Sequence, residues 1–185
     1  MTEQEFYVGH VKIRLIKGDI TEIEADAIVN AANSSLMGGG GVDRAIHCKG
    51  GPKILEECKH IRKTQWPKGL STGKAVITTG GNLEAKHVIH TVGPVWQGGS
   101  KGEPQLLAEA YRNSLTLAVS KGLKSIAFPS ISTGAYGYPI EKACRIALLT
   151  VKDFLTRDDK LEEVIFVLFT DHDLEVYKSA AKELL

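Results

Sequence analysis

Between residues 30 and 47 the chain sets residues capable of chemistry in close order. Asn30-Ala31-Ala32-Asn33 is followed by Gly38-Gly39-Gly40-Gly41-Val42-Asp43 and then by Arg44-Ala45-Ile46-His47. Four glycines are costly to order, because glycine loses the most backbone freedom on folding. Such a run suits a place where backbone must approach a ligand closely or take positive φ. Bare N–H groups at a helix start, here around Gly40, Gly41 and Val42, form an anion site, for phosphate above all. Asp43 and His47 stand four apart and share one helix face, so their contact would hold the carboxylate oriented. A carboxylate this near a phosphate cradle suggests catalysis rather than simple binding. Asn33 offers a donor and an acceptor to a pair of sugar hydroxyls. Blander readings exist: Asn30 and Asn33 could each close a turn, and a lone histidine such as His47 is more often half-buried packing. A floppy linker fits less well, since an apolar strand precedes the glycines and a short helix follows.

Two other loops carry unusual residues. Gly18-Asp19-Ile20 follows the first well-patterned strand, and Asp19 could accept a hydrogen bond from an exocyclic amino group such as that of adenine. Alone, Asp19 reads better as a helix cap or turn aspartate. Ser132-Thr133-Gly134-Ala135-Tyr136-Gly137-Tyr138-Pro139 joins a strand to a helix, and its glycines can aim successive N–H groups at a second phosphate. Tyr136 is either an exposed lid stacking on a sugar or a core anchor; the flanking glycines favour the lid. Two phosphate-type loops imply a diphosphate.

These loops need strands and helices to position them. Val11, Ile13 and Leu15 alternate with Lys12 and Arg14, a strand with one wetter face. Ala27–Val29, Ala75–Thr78, His87–His90, Ser125–Phe128 and Val164–Phe169 read as further strands. Helices are expected from Pro52 to about Arg62, from near Pro104 with Gly122 at its end, from near Pro139, and over a closing stripe of Leu174, Tyr177, Ala181 and Leu184. Residues 96–102 read as a flexible surface loop. Strand-like and helix-like stretches alternate, so the fold class is α/β, a central mixed sheet between helix layers. Ligands in such folds gather beyond the carboxyl ends of the strands.

At 185 residues the chain suits one domain with a substantial core. A net charge of +1 with no Lys/Arg-rich run gives no support for a nucleic-acid or anionic-membrane surface. No apolar stretch approaches a membrane span, and the acidic start, Met1 to Glu5, lacks the features of a secretory signal. Three widely spaced cysteines, Cys48, Cys58 and Cys144, argue against a disulfide framework and suit a reducing cytoplasm. His47, Cys48 and His60 could be imagined around a metal, but partly buried free thiols are the better reading. Neither a Walker A motif nor GxGxxG fits: Lys68 stands where the first Walker glycine belongs, Ala75 replaces its Ser/Thr, and Asp43 and Arg44 occupy the final glycine position.

With these residues in view, the chain resembles the macro domain family, specifically the MacroD-type ADP-ribose hydrolases, and looks closest to bacterial O-acetyl-ADP-ribose deacetylases. The resemblance rests on Gly18 to Thr21, Ala27 to Asn33, Gly38 to Asp43, Ala45 to His47, His90-Thr91-Val92-Gly93-Pro94, and Phe128-Pro129 with Ile131 to Gly137. It implies a three-layer α/β/α macro domain spanning residues 1–185 and a hydrolase for esters at the distal ribose of ADP-ribose. The substrates would be O-acetyl-ADP-ribose and mono-ADP-ribosylated acidic side chains of proteins. By this resemblance Asp19 holds the adenine amino group, the Ile20 backbone meets the ring edge and Phe169 packs on adenine. The glycine run and Ser132, Thr133, Gly134, Ala135, Tyr136 and Gly137 cradle the phosphates, with Asn30 and Ala31 also in the ligand-binding set. Asn33 positions the distal ribose, Tyr136 covers it, and Asp43, with His47, orients or activates the attacking water. No metal or redox cofactor is needed, and a cytoplasmic monomer is expected. The chain departs from many relatives at Cys48-Lys49-Gly50-Gly51 and in the small Ala135. The Gln-Glu-Glu signature of poly(ADP-ribose) glycohydrolases is absent, and Glu56-Glu57 reads as a solvated face. The alternative is a reader module that binds ADP-ribose without turning it over. An RNA-interaction protein is the weakest reading, for want of an aromatic–basic patch.

Overall fold

The structure, a computed structural model, describes residues 3–185. Met1 and Thr2, the head of the acidic N-terminal stretch, lie outside the described residues. Strands and helices alternate along the chain as β1 (Glu3–Val8), β2 (Val11–Lys17), β3 (Ala27–Ala31), α1 (Gly41–Gly50), α2 (Pro52–Thr64), β4 (Ala75–Thr79), β5 (His87–Thr91), α3 (Glu103–Ser120), β6 (Ser125–Phe128), α4 (Ile140–Arg157), β7 (Glu163–Leu168) and α5 (Asp171–Leu184). A one-turn 3-10 helix, Ile20–Glu22, lies between β2 and β3.

The strands form one sheet in the order β1-β2-β7-β6-β3-β5-β4. The inner five, β2, β7, β6, β3 and β5, are parallel, and β1 and β4 close the two edges antiparallel. Helices cover both faces, which is why β7 is buried from Val164 to Leu168 rather than alternating. On one face α1 and α2 set Ile46, Ile54, Cys58 and Ile61 against Ile28, Val88, Ala127 and Ile165. On the other, α3, α4 and α5 pack on Val29, Ile89, Phe128 and Phe166. The expected α/β/α layering around a mixed sheet is what forms.

Local rules account for the elements. Leu107, Tyr111, Leu115 and Ala118 recur at helical spacing on α3 and are all 0% exposed. Past the end of α3, Gly122 takes φ +72°, and the Gly122 and Leu123 N–H groups bond back to the Val119 and Ala118 carbonyls. That is the glycine-terminated stop the spacing predicts. Tyr111, Phe128, Phe166 and Tyr177 form a chain of ring contacts 5.0–5.8 Å apart through the larger core. Each such side chain contributes roughly 2–3 kcal/mol by burial.

One strand goes unread in the sequence, and one expectation needs correction. The chain opens with β1, which the polar start conceals. Residues 96–102 are not loosely held: the Glu103 carboxylate accepts N–H bonds from Gln97, Gly99 and Lys101 at 2.6–3.0 Å. Desolvation pushes the Glu103 carboxyl up, but these backbone N–H groups and its own outweigh it and hold the carboxyl down at about 2.

One contact controls how the middle of the sheet opens. β3 and β6 pair over only two residue pairs, Ala27 with Ile126 and Ile28 with Ala127. At their base, Asp26 Oδ2 accepts from the Lys124 N–H (2.7 Å) and the Ser125 N–H (3.3 Å), while the Asp26 N–H donates to Ser125 Oγ (2.8 Å). Partial burial works to raise the Asp26 carboxyl, but the two N–H bonds and Lys86 outweigh it and lower it below its ordinary value. A depressed carboxyl contributes stability that is present above about pH 4, its unfolded value, and lost as pH falls through the folded one. Asp26→Asn is expected to cost on the order of 1–2 kcal/mol at pH 7. In urea melts at several pH values, its deficit relative to wild type should shrink below about pH 4.

Candidate active site

All five parallel strands point the same way, so their carboxyl ends form one edge of the sheet. The chain leaves β3 for α1 on one face and leaves β6 for α4 on the other. The neighbouring loops therefore diverge at this switch point, where open α/β sheets bind ligands. A cleft of about 260 Å³ lies there, lined by residues 31–33, 39–43, 93 and 129–136 except Thr133. Of the sequence-predicted site residues, Ala31, Asn33, Gly40, Gly41, Val42, Asp43, Ser132, Gly134, Ala135 and Tyr136 meet in it.

One wall is the glycine run. Gly40 stands at the N-cap of α1, and no side chain caps the helix. The first N–H groups, at residues 41–43, have no protein partner among the described residues. They present the positive end of a helix to the cleft. Gly41 takes φ +58°, which favours glycine. Gly39 answers a different need: a Cβ there would lie 3.0 Å from Asn33 Nδ2 and 3.1 Å from Asp43 Oδ2. Asn33 braces this wall, donating from Nδ2 to the Gly38 carbonyl (3.0 Å) and accepting from the Ser35 N–H (3.0 Å) and hydroxyl.

The facing wall is the loop after β6. Ser132 is held at φ +69°, an uncommon conformation for a residue with a side chain. The surroundings impose it. The buried Tyr111 hydroxyl accepts from the Ile131 N–H (3.2 Å) and reaches the Pro129 carbonyl (3.4 Å). The Tyr138 N–H bonds the Ser132 carbonyl at 2.9 Å, and the Trp96 N–H bonds the Tyr136 carbonyl at 2.9 Å. The N–H groups of residues 132–136 are left without a protein partner among the described residues.

Between the walls lies a buried polar group. Asp43 is 3% exposed, although it belongs to the first turn of α1. Its Oδ1 accepts from Asn30 Nδ2 at 2.8 Å. His47 Nε2 is 3.3 Å from Oδ1, close enough for attraction but not aligned as a hydrogen bond. Asp43 Oδ2 is buried with no hydrogen-bond partner, as are Asn30 Oδ1, His47 Nε2 and Ser132 Oγ. Orphans of this kind are rare in a folded interior, and all four belong to this one region. Behind Asn30 lies His90, wholly buried, with Nδ1 3.1 Å from Asn30 Nδ2.

Some predicted residues do not line the cleft. Asn30 is fully buried beneath Asp43, so its side chain steadies the aspartate instead of facing a ligand. His47 contacts Asp43 from behind, and Thr133 turns away to bond Ser130, its hydroxyl reaching the Ser130 carbonyl and Oγ. Ile20 is buried and Gly137 bonds the Gly134 carbonyl. Asp19 makes the cap its alternative reading describes: Oδ1 accepts from the Thr21 N–H (2.9 Å) and hydroxyl (2.7 Å). The Thr21 hydroxyl outweighs desolvation and lowers the Asp19 carboxyl. Phe169 falls just past β7 rather than inside it and is 78% exposed. Asp19 and Phe169 nevertheless follow adjacent strands on the same sheet edge. The order β2-β7-β6-β3 puts Asp19 three strand steps from Asn33, about 14 Å.

Gly93, Pro129 and Ile131 line the cleft, and His90 backs Asn30; the sequence assigns none of Gly93, Pro129, Ile131 and His90 a role of its own. The available signal was a histidine at the end of an apolar strand. Of the residues that could be imagined around a metal, Cys48 and His60 are exposed. His47, Cys58 and His90 do cluster, their ligand atoms within 4.8 Å. Burial pushes the Cys58 thiol up to about 12, aided by Asp43 and Glu57, and both His90 nitrogens have polar neighbours. That chemistry fits packing.

The Tyr111 clamp has a direct test. Tyr111→Phe keeps the ring contacts and removes one buried acceptor, for an expected loss of about 1 kcal/mol. The Ile131 amide should then exchange with solvent faster than in wild type, while amides of β7 keep their protection. Unchanged Ile131 exchange would show that the hydroxyl does not hold the loop.

Comparison with known proteins agrees with this geometry. A family model described as Macro domain matches residues 29–147. A macro domain-containing protein of Caldanaerobacter subterraneus subsp. tengcongensis is 61% identical over 94% of this chain and 97% of its own length. A protein of Cronobacter turicensis named O-acetyl-ADP-ribose deacetylase is 54% identical over 90% of this chain and 94% of its own. Among solved structures, the Oceanobacillus iheyensis macrodomain with ADP superposes with a TM-score of 0.95 at 44% identity, covering 98% of this chain and 96% of that one. With a switch-point cleft, two walls of unpaired N–H groups and this degree of likeness, the chain belongs to the macro domain family.

Proposed function

We propose that this protein is a hydrolase that cleaves esters at the distal ribose of ADP-ribose. Its substrates are O-acetyl-ADP-ribose and mono-ADP-ribosyl groups on acidic side chains of proteins. The observation that carries this reading is Asp43: a buried carboxylate with one oxygen anchored by Asn30 and the other without a partner, at the floor of a cleft. The relative named O-acetyl-ADP-ribose deacetylase supports the reaction class, and the neighbour solved with ADP supports the diphosphate.

The chain's own groups supply the steps. The N–H groups at the start of α1 and along residues 132–136 hold the two phosphates, one from each wall. Asp19 and Phe169 take the adenine end of the same sheet edge, and Asn33, Asp43 and Tyr136 the distal ribose. Asp43 Oδ2 accepts a hydrogen bond from a water and directs it at the ester. Water adds across the ester bond, releasing a carboxylic acid and a free sugar hydroxyl. Both substrate types break an ester at the same ribose, so one site serves both. Rate enhancement comes from positioning and from dipoles arranged in advance, with no call on a metal or redox cofactor. Residues 1–185 act as one macro domain, and a monomer in the cytoplasm is the setting that fits. No helix of the described residues is long and apolar enough to cross a membrane.

Turnover of O-acetyl-ADP-ribose by wild type, Asp43→Ala and Asn33→Ala tests the proposal, alongside calorimetric titration with ADP-ribose. Asp43→Ala should lower kcat by about 100-fold or more, with affinity for ADP-ribose changed only a few-fold. Asn33→Ala should lower kcat as well and, through loss of the Gly38 brace, weaken binding. Unchanged rates in both variants would sink the assignment. Tight binding by wild type without turnover of either ester would make the protein a reader instead.

A further inference from the structure

We propose that His90 is a positioning residue for Asp43, acting through Asn30 by holding a single proton arrangement in a buried hydrogen-bond chain. The chain runs from the Thr79 carbonyl to Thr78 Oγ1 (3.0 Å), to His90 Nε2 (2.9 Å), from His90 Nδ1 to Asn30 Nδ2 (3.1 Å), and from Asn30 Nδ2 to Asp43 Oδ1 (2.8 Å). Thr78, His90, Asn30 and Asp43 are each at most 3% exposed, so water does not compete for these bonds.

The direction of each bond follows from what each end can do. The Asp43 carboxylate only accepts, so the Asn30 amide must turn its NH₂ toward it. The same NH₂ reaches His90 Nδ1, so Nδ1 must offer a lone pair and the ring proton sits on Nε2. Nε2–H then donates to Thr78 Oγ1, whose own proton goes to the Thr79 carbonyl. At the other end the Thr79 carbonyl can only accept, so the chain is consistent from end to end. The reverse arrangement would set Asn30 Oδ1 against Asp43 Oδ1 at 2.8 Å, two acceptors with no proton between them. His90 must also stay neutral for Nδ1 to accept. Burial, with His47 adding to it and Asp43 opposing, brings the ring down to about 3. Without the Nδ1 acceptor, one Asn30 N–H is buried unpaired and the amide is free to turn away from Asp43.

The kinetic part of this inference rests on the hydrolase reading; the tautomer does not. Nitrogen-15 NMR of the ligand-free wild-type protein at pH 7 should show His90 as the neutral Nε2–H form. A His90 ring protonated on Nδ1, or on both nitrogens, overturns the proposal whatever the protein hydrolyses. In turnover of O-acetyl-ADP-ribose, His90→Phe should lose roughly ten-fold or more in kcat with KM within about two-fold, the mark of an interaction made in the transition state. His90→Asn places an amide oxygen near the Nδ1 position and should recover most of that loss, which a merely space-filling role would not predict. A folded His90→Phe with wild-type kcat overturns the proposal, as does a folded His90→Asn no better than His90→Phe.

Discussion

The site depends on how briefly β3 and β6 touch. Two parallel strands that paired along their full length would bring their following loops together and close the edge of the sheet. Here the ladder stops after Ile28 and Ala127, and the two chains leave for opposite faces. Something must keep so short a junction in register, and the Asp26 carboxylate does so from below by capping the first N–H groups of β6. The cleft is thus a consequence of a well-anchored base and an abandoned top, with the helix layers on either side making the walls rigid.

Rigidity matters because the walls are made mostly of main chain. A backbone N–H can be aimed only by fixing the residues around it, and the two walls achieve this differently. The start of α1 uses helix geometry and, just before it, Gly39, whose missing side chain lets Asn33 and Asp43 approach. The 129–138 loop has no such regularity: the Tyr138 N–H ties it to itself, and it borrows rigidity from outside, from Tyr111 on α3 and from Trp96. Glu103 extends that bracing by tying down the segment that carries Trp96. Backbone strain at Ser132, of order 1–3 kcal/mol, is tolerable because so many neighbours determine the loop's path.

Much of this was legible in the residues. Periodicity located the helices and inner strands, since each buries a stripe or a face, and the glycine run with Asn33 and Asp43 marked the cleft. β1 escapes because an edge strand with no fully buried residue and a polar first half leaves little apolar alternation to read. Asn30 reads as a ligand contact in the sequence because an asparagine at a strand end looks the same whether it faces solvent or the core. Only the sheet's pleat separates Asn30 from Ala31. The roles of Tyr111, Glu103 and His90 are hidden in the sequence for a shared reason. Their partners lie 20, 2 to 6, and 12 to 60 residues away and are backbone groups or side chains found only once the chain has folded. A tyrosine in an apolar stripe reads as core, which Tyr111 is, and nothing in the stripe announces what its hydroxyl does.

The unpartnered atoms around Asp43 have a consequence for how this chain can change. A buried polar atom that the protein leaves unpaired costs about 1–3 kcal/mol relative to a paired one unless a bound molecule supplies the partner, and the protein's own groups supply none for these four. Apolar substitutions there would relieve that frustration and leave the fold more robust while removing the chemistry. Selection for heat resistance alone would therefore tend to erase this region first. A site built in this way is held for chemistry at a cost to the fold, whatever sequence motif surrounds it.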